Sequence, residues 1–453
     1  MFLATRVDED DDPQPLRKTT SEILMRSIRL ALAAALGLSG GVASAENWPE
    51  WRGPRHTGIS SETGIATKWT KTENVAWKAK LPGQGGSTPV VWEDRIFLTS
   101  ADGDDLVVMG IDTKGTELWK TKVSTGNKDA RAGEGNSASP SPSTDGKHVW
   151  VFFGTGDLAC LDRDGKIVWK FNVEERYGKI DIQFGMTSTP ILHEGKLYMQ
   201  LIHGTWRGDY TVGKVISLDA ASGKEIWAID RKQNPKEECK HAYSSALIAP
   251  GKEPYLITHG GDCTVGHSLK DGHELWRLDD LNGPSQYNKN YDGTLRFVAT
   301  PTATEEFVVV PTAKSGPALG LQASALSGNV TGKAEAVKWV FDRTPDVSCP
   351  VIYEGLVYLC MNDGRLVCLD QKTGEKKYES RIHNAQYRAT GVVSGGNAYF
   401  TARDGVCTVV KLGPTFEKVS ENDLGEPQTA SPVISNGTLY MRTYEGLYAI
   451  RGK

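Results

Sequence analysis

The sequence predicts an all-β fold: an eight-bladed β-propeller of four-stranded antiparallel blades, its ring closed by an N-terminal strand. Three observations predict it. A turn containing Asp and Gly, followed by an aromatic residue four positions after the Gly, recurs along the 453 residues. Between copies, a small residue and often Pro opens an alternating apolar run. An outer strand near the start of the chain lacks inner partners, and the last unit lacks an outer strand.

The turn appears as Asp112–Gly115–Trp119, Asp162–Gly165–Trp169, Asp219–Gly223–Trp227 and Asp271–Gly272–Trp276, with a weaker copy in Asp370–Gly374–Tyr378. The second signal appears at Ser87-Thr88-Pro89, Ser139-Pro140, Thr189-Pro190, Thr300-Pro301, Cys349-Pro350 and Ser431-Pro432. A period of about 40 to 60 residues belongs to propellers. The first unit parses into short strands 88–92, 95–101, 106–112 and 117–123, each bounded by Gly, Asp or Pro. Inner strands are expected near 88, 139, 189, 245, 300, 349, 389 and 431. The last unit runs out after its third strand, and Asn74–Lys80 reads as its missing fourth. Pairing them removes the edges that an open array would expose. Trp77, Trp119, Trp169, Trp227, Trp276 and Trp339 fall on outer strands. Packing each onto the glycine turn of a neighbouring blade is a structural role, and a role in binding is not needed to explain them.

The ends of the chain carry other signals. Residues 1–24 are acidic and read as a mis-assigned or non-native extension. Residues 25–45 read as a signal peptide, with Arg26 and Arg29, the apolar run 30–38 and the small-residue site Ala43-Ser44-Ala45. That run is too short to span a bilayer. The expected mature chain is an extended segment, 46–73, followed by a propeller, 74–453. It is secreted to the periplasm or beyond, with no transmembrane segment. A formal net charge of −4 gives no basis for nucleic-acid binding. The seven cysteines show no C-x-x-C pair, and their count is odd. Burial as small apolar residues accounts for them.

Strand order places the connections from outer strand to next inner strand, and from second to third strand, on one face. These are the long ones. They carry Arg131, Gln183, His203, Trp206, Arg207, His241, Tyr243, Tyr287, Arg296 and Arg388. His241, Arg296 and Arg388 precede inner strands by a few residues and are expected nearest the axis. Several cations at one mouth suit an anionic or hydroxyl-rich ligand. No nucleophile elbow, H-E-x-x-H, P-loop or calcium-loop pattern is present. His259, His267 and His273 cluster in the fourth unit, where strand alternation explains them without a metal.

The Asp-x-x-(x)-Gly-x-x-x-Trp repeat resembles that of the quinoprotein-like (PQQ-like) repeat family, over residues 74 to 453. The opening Asn47-Trp48-Pro49-Glu50-Trp51-Arg52-Gly53-Pro54 resembles that of secreted members of unassigned function. The resemblance implies two alternatives. Quinoprotein dehydrogenases hold PQQ and calcium in the channel, and their alcohol-oxidising members have adjacent cysteines, which this sequence lacks. The propeller lipoprotein of the outer-membrane assembly machine has no cofactor, and its lipid-attachment Cys is missing here. The expectation is a monomeric, non-catalytic propeller without cofactor, binding an envelope or extracellular protein or glycan through its loop-rich face. The alternatives are a PQQ-dependent oxidoreductase and an enzyme of other chemistry using His and Arg at the channel mouth.

Overall fold

The computed structural model describes residues 46–131, 133, 135–289 and 296–452, with the side chain of Arg131 outside that set. The extension and signal peptide expected over residues 1–45 lie outside the described residues.

Eight antiparallel four-stranded sheets form the ring. Strands are lettered a to d from the axis outward. Blade 1 comprises Val90–Trp92, Arg95–Asp102, Asp105–Asp112 and Glu117–Thr125. Its neighbours repeat the order, with inner strands at Ser143–Thr144, Ile191–His193, Leu247–Ala249, Thr302–Ala303, Val351–Tyr353, Val392–Ser394 and Val433–Ser435. The core lies between blades. Val90, Phe97 and Val108 of blade 1 pack with Val149, Val151 and Leu161 of blade 2, all fully buried. Blade 4 carries a fifth strand: Gly328–Asn329, from the connection before strand d of blade 5, pairs in parallel with Glu274–Leu278. The repeat signal does not reveal this addition.

The ring closes as the unmatched strands require. Val75–Lys80 pairs antiparallel with Gly446–Ile450 and becomes strand d of blade 8. The outer tryptophans explain why the glycine turn and Trp travel together. The Trp119 ring lies 2.5 Å from where a Cβ would stand on Gly165, and Trp77, Trp169, Trp227 and Trp339 cover Gly115, Gly223, Gly272 and Gly374 in the same way. These glycines have positive φ, so a side chain would be strained as well as obstructed. Each indole also donates to a carbonyl of the turn it covers, as in Trp77 Nε1 to Thr113 O at 2.9 Å and Trp119 Nε1 to Arg163 O at 2.9 Å. Trp276 differs. Blade 5 has no short Asp–Gly turn to receive it, and the added strand pairs along its own.

The segment before the closing strand crosses the axis on the face of the a-to-b turns. Trp48 pairs with Val91 of blade 1, and Pro49 O accepts from Thr144 N of blade 2 at 2.9 Å. Arg52 is buried and reaches the far side, donating to Pro301 O at 2.8 Å and Thr302 Oγ1 at 2.6 Å in blade 5 and to Pro350 O at 3.4 Å in blade 6. Ile59 then pairs with Val393 of blade 7. One end of the central channel is therefore closed by the chain's own N-terminal segment.

Candidate functional site

The opposite end of the channel is a funnel of about 220 Å³. Its neck is built by the residue that enters each inner strand: Thr88, Ser141, Thr189, Ser245, Thr300, Cys349, Thr390 and Ser431. They are linked head to tail. The Thr88 N–H donates to Ser141 Oγ (2.9 Å), Ser141 to Thr189 (3.1 Å), Thr189 to Ser245 (2.9 Å) and Ser245 to Thr300 (3.0 Å). Thr300 N–H donates to Cys349 Sγ (3.3 Å), Cys349 to Thr390 (3.1 Å), Thr390 to Ser431 (3.0 Å), and Ser431 back to Thr88 (3.2 Å). The closed ring satisfies eight backbone donors that face the axis rather than a strand. Pro follows six of the eight, at Pro89, Pro142, Pro190, Pro301, Pro350 and Pro432. It holds the preceding residue extended and adds no N–H of its own.

Trp51 belongs to the plugging segment and lines the funnel, with the Arg52 guanidinium 5.5 Å from its ring. The wall is uneven. Blades 1, 2 and 8 contribute small residues, among them Gly86, Ala130, Gly135 and Thr429, whereas the large side chains Phe184, Tyr243, Arg296 and Arg388 stand on the other side with Thr187, Val298 and Val347. Arg296 lies over the Phe184 ring at 4.7 Å and pairs with buried Glu238 at 3.2 Å. Arg388 pairs with Asp346 at 3.6 Å. Neither carboxylate lines the funnel. Each offsets part of the field of its arginine while fixing the guanidinium in place.

Tyr243, Arg296 and Arg388, all singled out from the sequence, thus meet at the funnel. His241 does not line it. It is buried, packs edge-on to Tyr243 at 6.5 Å, and its Nε2 sits 2.7 Å from Gly204 O. His203 is buried against Tyr210. Gln183, Trp206 and Arg207 lie in the surrounding loops, with Gln183 and Arg207 exposed and the Arg207 guanidinium 4.9 Å from the Trp206 ring. Tyr287 donates no group to the funnel; its hydroxyl accepts from Gly332 N at 2.6 Å. Arg131 lies on a short hairpin strand, Asp129–Arg131, beside the lining residue Ala130. Sequence reasoning missed Trp51, Phe184 and the hydroxyl ring. The recurrent Ser/Thr-Pro pairs were the available signal for the ring.

The histidine cluster of blade 4 is occupied by local bonds. His259 Nδ1 is 2.7 Å from Thr264 Oγ1, His267 Nε2 is 3.0 Å from Thr258 Oγ1, and exposed His273 pairs with Asp271 at 2.6 Å. No group of three or more His, Cys, Asp or Glu among the described residues is arranged to hold a metal. All seven cysteines are buried and unpaired.

Burial lowers His259 and His267 to about 3 and His203 to about 4. Their folded values lie below the unfolded value of about 6.5, so unfolding takes up protons as the pH falls below that point. Their contribution is complete above pH 6.5 and is lost progressively down to the folded values, at roughly 1.4 kcal/mol per pH unit for each. Asp262, raised by burial to about 6, acts in the other direction between that value and about 4. The melting temperature is therefore expected to fall steadily from pH 7 to pH 5, and a flat profile would contradict the neutral, buried assignment.

The ring, the blade order and the glycine–Trp turns define a quinoprotein-type repeat propeller. The chain belongs to the PQQ-type repeat family described as outer membrane protein assembly factor BamB, whose model matches residues 33–199, 105–316 and 211–413. It is 23% identical over 322 residues to outer membrane protein assembly factor BamB of Yersinia pestis, covering 59% of this chain and 79% of that one. It is 26% identical over 201 residues to a polyvinylalcohol dehydrogenase of a Pseudomonas species, covering 41% of this chain and only 29% of the dehydrogenase. Among solved structures, BamB from Moraxella catarrhalis aligns at a TM-score of 0.58 and 16% identity, covering 84% of this chain and 97% of that chain. A europium-containing methanol dehydrogenase aligns at 0.65 and 14% identity, covering 88% and 90%. These structural likenesses carry the fold alone.

The dehydrogenase relatives raise the question of PQQ with calcium. Calcium takes six to eight oxygen ligands, carboxylates prominent among them. Among the described residues, no Asp, Glu, Asn or Gln side chain lines the funnel. The described lining residues do not form a calcium cage.

Proposed function

We propose that this protein is a non-catalytic, secreted binding propeller that engages an envelope protein through its loop-rich face. The observation that carries the reading is the asymmetry of the channel. One mouth is sealed by Trp48–Ile59, while the other opens among long loops into a funnel bearing Arg296 and Arg388. The assembly-factor relatives favour a protein partner over a glycan. Rigid propellers presenting variable loops are suited to that task. The described lining is made of hydroxyls, guanidiniums and apolar groups, which suits binding better than general acid–base chemistry.

The test is capture of envelope proteins by the wild type and by variants of the two faces. Replacing Gln183 and Arg207 with Glu should reduce capture at least tenfold, because a charge introduced at one position and reversed at the other combines lost contacts with like-charge repulsion. The same reversal at Lys114 and Lys224, in turns of the opposite face, should leave capture unchanged. The reverse pattern would show that the wrong face has been chosen. Calcium-dependent, stoichiometric PQQ binding with dye-linked alcohol oxidation would replace the binding reading with the oxidoreductase.

A further inference from the structure

We propose that the funnel neck is a receptor for a compact carboxylate, a site distinct in chemistry from the loops around it. It deepens the reading of the loop-rich face as a binding surface but rests on different groups.

The hydroxyl ring at the neck has hydrogens to spare. Seven of its eight members are hydroxyls: Thr88, Ser141, Thr189, Ser245, Thr300, Thr390 and Ser431. Each Oγ accepts one backbone N–H from the preceding member. A hydroxyl that accepts retains its own hydrogen as a donor. Among the described residues, none of these hydroxyls donates to a protein acceptor. Ser143, one turn of the strand further along, behaves differently and donates to Pro190 O at 3.0 Å. The Tyr243 hydroxyl also accepts, from Phe184 N at 3.2 Å, and adds another donor to the wall.

The converging side chains therefore offer donors. Two guanidiniums reinforce them, and among the described residues no carboxylate, carboxamide or imidazole side chain lines the cavity. A cavity whose polar side chains donate selects a ligand whose polar atoms accept. Carboxylates meet that condition, with up to four lone-pair sites each and a geometry matched to guanidinium. Neutral polyols, which must donate as often as they accept, do not. Trp51 and Phe184 give the remaining surface an apolar face for a carbon skeleton. A volume of about 220 Å³ suits a di- or tricarboxylic acid rather than a polymer. The carboxylate could arrive as a free metabolite or on an acidic side chain of the partner, and the experiment separates these.

Citrate is the probe, with triethyl citrate as its uncharged control and hexaglutamate as the peptide arm. Calorimetry on the full mature chain should show one citrate bound per protein and no binding of the ester. Arg296→Gln and Arg388→Gln should each weaken citrate about ten- to a hundredfold, the range for one charged hydrogen bond. Because Arg296 also pairs with Glu238, Thr189→Val serves as a second probe; it keeps the shape, removes one donor together with the acceptor of the Ser141 N–H, and should weaken citrate several-fold in a protein that still melts cooperatively. Displacement of citrate by hexaglutamate assigns the carboxylate to a partner's side chain; its failure to compete assigns it to a free small acid. Absence of citrate binding at millimolar concentration, equal binding of the ester, or unchanged affinity in the doubly substituted arginine variant would overturn the proposal. Retained capture of envelope protein alongside any of these results would leave the loop-face reading standing and remove only the pocket.

Discussion

Deleting Val75–Lys80 should give a protein that no longer melts as a cooperative monomer. The strand pairs along the whole of Gly446–Ile450. Its loss exposes a row of backbone donors and acceptors on the last blade, a template for pairing with another chain. Trp77 goes with it, and with Trp77 the cover over Gly115, the bond to Thr113 O and the 6.0 Å contact with Tyr440. Lys78 takes away its ion pair with Glu426 and its place 5.2 Å from the centre of the Tyr448 ring. Truncation of a fully buried aromatic runs to about 3–5 kcal/mol, and partly buried Trp77 contributes a share of that. The expected outcome is a lowered, broadened transition together with dimers or larger species in size-exclusion chromatography. A monomeric deletion variant with the wild-type transition would mean that the ring is held elsewhere.

The second large effect concerns Arg442, at the inner end of the same junction. It is 0% exposed and belongs to strand b of blade 8, yet its donors serve blade 1. Nη1 donates to Ser87 O at 2.9 Å, to Thr99 O at 2.8 Å and, at short range, to Ser87 Oγ. Among the described residues no carboxylate pairs with it, and burial works against its charge, holding its pKa well below the usual value. Equivalent positions do the same task with neutral groups: Thr99 bonds to Ala138 O and Pro140 O of blade 2, and Gln200 to Ser244 O and His259 O of blade 4. Arg442→Met leaves Ser87 O buried without its donor, worth about 1–3 kcal/mol, and Thr99 O with only the Ser87 hydroxyl at 3.2 Å. The variant should lose several kcal/mol in denaturant unfolding. Arg442→Lys should rescue little, since an ammonium cannot reproduce the fork. A wild-type denaturation midpoint for Arg442→Met would show that the close packing of Gly85, rather than the bonds, holds the seam.

Closure is thus made at two radii, Trp77 outside and Arg442 inside, and the two were unequally visible in the sequence. Trp77 could be placed because an outer strand without inner partners has only one vacancy to fill. Arg442 carries no pattern, because the position it occupies holds Thr99, Phe152, Gln200, His259, Pro311, Cys360 and Thr401 in the other blades. The glycine–Trp turns were legible for a physical reason: a Cβ at the turn would meet the indole, so the pair cannot vary independently. Trp276 breaks the rule because the connection of blade 5 brings an extra strand rather than a turn. The funnel was half legible. Arg296 and Arg388 follow from their distance to the inner strands. His241 has the same spacing, but its side chain is committed to Gly204 O. Trp51 was readable only as part of an N-terminal segment. Nothing local says that such a segment crosses the axis, because its partners Val91, Thr302 and Val393 lie far along the chain.

The central claim is that binding takes place at the open, loop-rich face and not at the face sealed by the N-terminal segment. Site-specific photocrosslinking addresses it directly. A photoreactive residue at exposed Gln183 or Arg207, beside the funnel, is compared with one at exposed Lys114 or Lys224, in the turns of the other face. These changes touch no buried contact, so all four proteins should melt alike. The account predicts a discrete envelope-protein adduct from positions 183 and 207 and none from 114 and 224. Adducts from 114 and 224 alone would contradict it.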